Sequence, residues 1–471
     1  MKIRRAATAL LAAATLSAAA TAVGADDAPS HRPAVNTRAN YTPVERFQPL
    51  PASPACAEVA GAPFLLPPGY DQQVVAQEGE GGTTNLWDMN TQNESGWEAG
   101  RYVYRTHETA PSPTAPASAV SVTDLRTGTT TVLAQRSDWE RFDGIVWTPH
   151  GTLLAAEETG RAAVPDPAFS NARAGLVYEL FVDPHDPSRL RTDDPRDDVA
   201  PFDDGIAARP ALGSKAHEGM RFDRRGYHYG ITEADPGSIF RFVPDRRGDL
   251  SQGHLQALKT DNGHDGTGTW VDILGTAAGV DAQPAAIAMG ANAYNRPEDV
   301  ETGQSTGVDR NNGGNTLYVA MTGTEEVLAV DLSRQDQPYA YDYVFNSAHS
   351  QTSSGTPNAT AEFDSPDNLA LDRRGNLAIT EDPPAGTQGA DVWVAAPRGG
   401  RHQPARTVHR FASLQDCGAE PTGIYFALAG TKRFTRGTPL GELVRDDSLL
   451  VNRQHARQGT NNDQLVAIAP V

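Results

Sequence analysis

Short apolar runs separated by Asp- and Gly-containing turns organise the middle of the chain. Phe222 leads into Asp223-Arg224-Arg225-Gly226 and then the run Tyr227 to Glu233, while Leu371 leads into Asp372-Arg373-Arg374-Gly375 and then Asn376 to Asp382. Both blocks share one order: an apolar residue, Asp-Arg-Arg-Gly, an apolar-rich run, and Thr-Glu at Thr232-Glu233 and Thr380-Glu381. An Asp that hydrogen-bonds the backbone ahead of it and a Gly free to take positive φ close a tight hairpin, so each block predicts strand, turn and returning strand. Trp147-Thr148-Pro149-His150-Gly151 followed by Thr152 to Glu158 is a third copy, and Val122 to Leu133 around Gly128 resembles a fourth. Repeated units of this kind predict propeller blades, irregular in spacing and so carrying long insertions between strands. The expected fold is all-β, a six-bladed β-propeller, since six blades of roughly 65 residues would use most of the chain.

Acidic residues recur at one place in this pattern. Four positions before the apolar residue that precedes each turn stand Asp143, Glu218 and Asp367, and Arg296-Pro297-Glu298-Asp299 and Glu420-Pro421-Thr422-Gly423-Ile424 also lead with an acid into an apolar run. The innermost strands of a propeller converge on its channel, so Asp143, Glu218, Glu298, Asp367 and Glu420 are expected to point at one spot. Their separations of 75, 80, 69 and 53 residues fit one acid per blade. Like charges gathered in a low-dielectric channel either take up protons or hold hard cations. Ca2+ takes six to eight oxygens, and ferric iron and Mn2+ suit the same donors. Asn368 and His217, each next to one of these acids, are candidate neighbouring ligands.

Composition narrows the function. The 471 residues carry a formal charge of −19, which speaks against a nucleic-acid partner, because neutralising phosphates requires a Lys/Arg surplus. High Gly and Pro usage, 44 and 34 residues, favours strands and turns over long helices. Met1-Lys2-Ile3-Arg4-Arg5, the uncharged stretch Ala6 to Val23 and the small residues before Asp26 read as a cleaved export signal over residues 1–25. Arg4-Arg5 fits either the twin-arginine route or an ordinary basic start. No second apolar run is long enough to span a bilayer, so the expected location is periplasmic or extracellular. Residues 26–55, rich in Pro and Ala, are expected to be a loose lead-in, and 56–471 one propeller domain. Two cysteines, Cys56 and Cys417, stand in an exported chain and either pair or remain separate thiols. No Gly-x-Ser-x-Gly elbow offers a serine nucleophile. The segment Asp193-Asp194-Pro195-Arg196-Asp197-Asp198 is expected to be a solvated insertion. Trp147, Trp270 and Trp393 are expected to pack between blades.

An ordered set of blocks resembles a known family. Thr106-His107-Glu108, Thr148-Pro149-His150-Gly151-Thr152 with Glu157-Glu158, His217-Glu218, Arg296-Pro297-Glu298-Asp299, Ser365-Pro366-Asp367-Asn368-Leu369, Glu420 with Thr422-Gly423, and Gln454-His455 occur in that order. Over residues 80 to 460 they look like the PhoX-type alkaline phosphatases. That resemblance implies a six-bladed propeller with an iron and calcium cluster in its channel, export, and hydrolysis of phosphate monoesters. It places Glu108, Glu218, Glu298, Asp367 and Glu420 among the metal-holding positions and Arg296 against the substrate phosphate. Where the family is expected to carry a cysteine on iron, this chain has Asp143, whose hard oxygen favours Ca2+ or Mg2+ over an iron–thiolate centre. His217 could protonate the leaving group or orient a neighbouring ligand. The reading is a metal-dependent phosphatase acting on a small phosphate ester with Ca2+ and, by resemblance, Fe3+; its oligomeric state stays open, with a monomer favoured. Two alternatives stay open: a non-enzymatic propeller stabilised by Ca2+, and a lactonase or carboxylic-ester hydrolase with one Ca2+.

Overall fold

The computed structural model describes residues 44, 46–55, 57, 61–111, 117–196, 204–273, 279–303, 315–347, 356–382, 389–397, 399–416, 418–455 and 463–471. The signal segment, most of the lead-in, and both Cys56 and Cys417 lie outside the described residues.

The fold is all-β and propeller-like, and among the described residues there are few helices and the strands form five antiparallel sheets. The first runs outward from Trp87–Gln92 through Tyr102–His107 and Ala119–Asp124 to Thr129–Gln135. The second runs from Phe142–Trp147 through Leu153–Glu157 and Val177–Leu180 to Ile206–Ala208. A nine-stranded sheet follows. One run starts at Met220–Phe222, another at Pro297–Thr302, and they join where Gly266 and Thr267 pair with Ala340 and Tyr339. This edge-to-edge pairing is why six separate sheets, expected from the sequence, are not what the hydrogen bonding gives. The fourth sheet starts at Pro366–Leu371 and ends on the short strand Phe64–Leu65. The fifth starts at Glu420–Phe426 and ends on Tyr70–Gln77, which pairs with Gln464–Pro470 and so joins an early strand to a late one.

The turn chemistry is as the sequence predicts. Asp223 Oδ1 accepts from the amides of Arg225 and Tyr227, both at 2.9 Å, and Asp372 Oδ1 from those of Arg374 and Asn376, both at 2.8 Å. Thr148 does the same work in the third copy, its Oγ1 accepting from His150 at 3.2 Å and Thr152 at 3.1 Å. Gly226, Gly375 and Gly151 follow at φ 84°, 87° and 82°, where a side chain would be strained. The fourth copy is also a hairpin, with Asp124 Oδ1 accepting from the Arg126 amide at 2.9 Å, but it joins the two outer strands of its sheet.

Most sheet residues are buried on both faces because neighbouring sheets stack on each other. Trp393 is buried against Phe363, and Trp147 stacks on Tyr104 at 5.8 Å. Trp270 lies 5.9 Å from Tyr229 and is only partly buried. The described end of the lead-in differs from the loose segment expected there. Val44 is buried, Phe47 packs edge-on against Phe411 at 5.0 Å, and the Leu50 amide donates to the Arg410 carbonyl at 3.0 Å. No helix among the described residues is long and apolar enough to cross a membrane.

Candidate metal centre

The first strands pack side by side in a closed series: Trp87–Gln92, Phe142–Trp147, Met220–Phe222, Pro297–Thr302, Pro366–Leu371, Glu420–Phe426, and back to Trp87–Gln92. Pairing with the second strand slips near the start of five of them, between Trp87 and Asn90, Phe142 and Ile145, Pro297 and Val300, Pro366 and Leu369, and Thr422 and Tyr425. A bulge frees one residue from the ladder and re-aims its side chain. The freed residues begin with Asp88, Asp143, Glu298 and Asp367, and Glu218 sits in the unpaired approach to Met220–Phe222. In the last strand Gly423 takes the bulge position at φ 57°, and Glu420 stands at the strand's start. The residues leading into four of these strands, Leu86, Arg141, Arg296 and Ser365, hold φ values of 56°, 48°, 48° and 41°. Such left-handed positions are costly for residues with a Cβ and concentrate at functional sites.

A second group of acids follows the ends of the returning strands: Glu108 after Tyr102–His107, Glu158 after Leu153–Glu157, Asp382 after Leu377–Glu381, and Glu233 two residues past His228–Ile231. Together with the first group they line one cavity of about 130 Å³, with Arg296 as its cation and the amides of Asn368 and Gln454 beside it. Every acid expected from the sequence, Glu108, Asp143, Glu218, Glu298, Asp367 and Glu420, is on that wall. Asp88, Glu158, Glu233 and Asp382 are acids that the reading of the sequence missed. Three of them had a signal, since Glu158, Glu233 and Asp382 each stand seven residues after a turn glycine, Gly151, Gly226 and Gly375. Their immediate neighbours Glu157 and Glu381 turn the other way and serve the fold: Glu157 accepts from the amides of Glu140 and Leu176, and Glu381 from the Trp393 indole at 2.6 Å.

Ligand atoms of Glu218, Glu298 and Asp367 lie within 4.8 Å of one another, and all three residues are buried. Burial, reinforced by neighbouring carboxylates, pushes Asp88, Asp143, Glu158, Glu218, Asp367 and Glu420 well above the usual carboxylate range. Burial raises Glu298 to about 7. Asp143 Oδ1 and Glu218 Oε2 are buried with no hydrogen-bond partner. Orphaned carboxylate oxygens among like charges are what a hard cation would satisfy, and the cavity's donors are all oxygens save the amide and guanidinium nitrogens, so the residues fit Ca2+ or another hard ion. A contrasting cluster elsewhere carries its own counter-charge: His264 Nε2 lies 3.3 Å from Asp342 and 3.4 Å from Glu326. There the two carboxylates outweigh burial and hold the imidazole up at about 10.

Arg296 is tied by three acids, with Nη1 at 2.7 Å from Glu298 and 3.2 Å from Asp382, and Nη2 at 2.9 Å from Glu233. Its side chain stays 39 % exposed at the cavity mouth. Asn368 is present, but as a donor: Nδ2 reaches Asp367 at 2.9 Å and Glu218 at 3.3 Å, while its Oδ1 accepts from the Gly423 amide. His217 is not brought to the cavity. Its ring contacts Lys215 Nζ at 2.8 Å and the Gly213 carbonyl at 2.9 Å, and burial with the Lys215 amine beside it holds the imidazole neutral. The backbone alternation that aims Glu218 inward turns the residue before it outward. The imidazole of His455 lies 3.8 Å from the lining residue Glu420 and is half exposed.

No curated protein matches the chain. Among solved structures, PhoX of Pseudomonas fluorescens in complex with vanadate, a transition-state analogue, is similar over 89 % of this chain and 97 % of that one, at 18 % identity and a TM-score of 0.56. A gluconolactonase from Xanthomonas campestris covers 90 % of this chain and 98 % of its own at 12 % identity and a TM-score of 0.41. Residues 147–434 match the family described as alkaline phosphatase PhoX. With that match spanning more than half of its length, the chain belongs to the PhoX alkaline phosphatase family.

Proposed function

We propose that this protein is an exported phosphatase that hydrolyses phosphate monoesters at a cluster of hard cations held by the channel carboxylates. Calcium is the principal ion of this reading, and iron would have to bind without a cysteine because Asp143 stands at that place. The nine-stranded sheet is read as two blades fused at their outer edges, which makes six blades around one axis and gives each inner strand one place at the cluster. The observation that carries the reading is the cavity itself: ten carboxylates converge on it, with Arg296 the one cationic side chain among the described residues of its lining.

Bound cations would supply positive charge for the non-bridging phosphate oxygens and for the attacking water. The protein's own part is positioning. Glu233 and Asp382 hold the Arg296 guanidinium at the mouth, where its planar fork can pair with phosphate oxygens. With His217 facing Lys215, the imidazole available to protonate a leaving alkoxide is His455. The acidic bulk of the chain does not veto an anionic substrate, because the cations set the field inside the channel.

The test is hydrolysis of an aryl phosphate monoester by the mature protein at alkaline pH, before chelation, after it, and after return of Ca2+. Turnover lost on chelation and restored by calcium supports the reading. Turnover indifferent to chelation, or none in metal-replete protein, overturns it.

A further inference from the structure

A second cavity, of about 260 Å³, opens among the turn at Ser95–Glu98, the turn at His150–Thr152 and the segment Val182–Arg196. Its lining shares no residue with the carboxylate cavity, and no part of the proposed phosphatase chemistry uses it.

Its floor is aromatic and rigid. Trp147 stacks on Tyr104 with an interplanar angle of 24°, its indole donates to Ser95 Oγ at 3.0 Å, and the Tyr104 hydroxyl donates to the Pro187 carbonyl at 2.7 Å. Trp97 lines the same cavity with 93 % of its surface exposed, far more than any other large apolar side chain among the described residues except the C-terminal Val471. A tryptophan left in water on a turn tip contributes nothing to the fold, which points to a ligand as its partner.

The polar groups of the wall are fixed and electrically balanced. Contrary to the solvated insertion expected there, Asp194 is a buried anchor: it receives Arg196 through Nε at 2.9 Å and Nη2 at 2.8 Å, and it also pairs with Arg191. Glu98 is paired with Arg101. Asp183 Oδ1 accepts from the His185 amide at 2.8 Å. Arg191 also lies 3.3 Å from Asp193, so Asp183, Asp193 and Asp194 together offset the two arginines, and among the described residues no surplus cation is left for a phosphate or carboxylate ligand. Planar donors and acceptors locked in place, between one buried and one exposed indole, suit a ligand with an apolar face and neutral hydroxyls at its edge.

We infer that this cavity is a binding site for a neutral saccharide, stacked on Trp97 and Trp147 and hydrogen-bonded by Asp183, Arg191 and Arg196. It is a site separate from the catalytic one, and it would hold the protein to glycan-bearing material without touching turnover.

The test is tryptophan emission of the full mature protein titrated with a panel of neutral oligosaccharides built on glucose, mannose, galactose and N-acetylglucosamine. A saturable change with at least one of them is expected, abolished in Trp97→Ala and weakened about tenfold in Arg196→Met. Trp97 is almost fully exposed, so its replacement is expected to leave folding intact, and aryl phosphate turnover is expected to be unchanged in both variants. No saturable response across the panel, or a response that survives Trp97→Ala, overturns the inference. A parallel titration with uronic-acid oligosaccharides is the control, and a response to these anionic sugars alone also overturns the inference.

Discussion

The carbonyl oxygen of Glu218 occupies the space that a Cβ on Gly144 would need. Gly144 follows Asp143, so two adjacent inner strands approach closely at the point where each delivers a carboxylate. The same device recurs at Gly219 against Asp299 and at Gly423 against the Asp88 carbonyl. Gly144→Ala is expected to destabilise the protein by about 1–3 kcal/mol, the usual range for overpacking, and to reduce stabilisation by Ca2+ as well. Denaturant unfolding with and without calcium checks both. Unaltered calcium stabilisation in the variant would show that the approach does not set the carboxylate geometry.

Glu218 sits among Asp143, Glu298 and Asp367, and their burial, reinforced for Glu218, Asp143 and Asp367 by neighbouring carboxylates, dictates a pH dependence. Folded-state values above the unfolded ones mean that the cation-free protein keeps its protons. The associated stability is full below the ordinary carboxylate range and is lost as pH rises through the folded values, about 7 for Glu298. Chelated protein is expected to melt progressively lower between about pH 5 and 8, and Ca2+ to restore it. Glu218→Gln removes one charge, so the chelated variant is expected to outlast chelated wild type at pH 8 while gaining less from calcium. Thermal unfolding of the two proteins side by side decides it, and equal calcium gains would place the ion elsewhere.

Arg296 is assigned to the substrate and not to the cations. Arg296→Ala is expected to raise KM for an aryl phosphate about tenfold or more, a lost bidentate charged contact, while bound metal per chain stays as in wild type. Steady-state kinetics and metal analysis of one preparation test this. Loss of metal with the arginine would instead make it a structural counter-charge for Glu233, Glu298 and Asp382.

Lys215 is a buried amine whose folded-state value burial pulls down to about 7. Its unfolded value is the ordinary one for lysine, so stability is fully present above that and is lost as pH falls through 7. The slope is about 1.4 kcal/mol for each pH unit across the window. Lys215→Met is expected to flatten the rise in stability between pH 7 and 10. An unchanged slope in the variant would mean that the amine reaches water.

The hairpins were legible because their turns carry their own chemistry: Asp223, Asp372 and Thr148 each bond the backbone ahead of them, and a glycine follows. Asp143, Glu218 and Asp367 were legible because they stand at a fixed offset from those turns, and Glu298 and Glu420 because each leads into an apolar run. Asp88 was not, since its strand returns through Ser95–Gly100, a turn without the Asp-x-x-Gly pattern. His217 faces Lys215 and not the cavity, because adjacency in sequence to Glu218 does not fix which way a side chain points. The joined nine-stranded sheet depends on pairing between Gly266–Asp272 and Tyr339–Phe345, more than sixty residues apart, which no local pattern records. Asp194 read as one more charge in an acidic run, although it is a buried anchor for two arginines.

The most direct test of the central claim is a calcium titration of chelated protein in which bound metal and aryl phosphate turnover are followed on the same sample. Turnover that rises with occupancy in wild type, with both lost in Glu218→Gln and Asp367→Asn, is the predicted result. Full occupancy and turnover in those variants, or turnover that leads occupancy, would contradict the assignment of the channel carboxylates as the cation site of the enzyme.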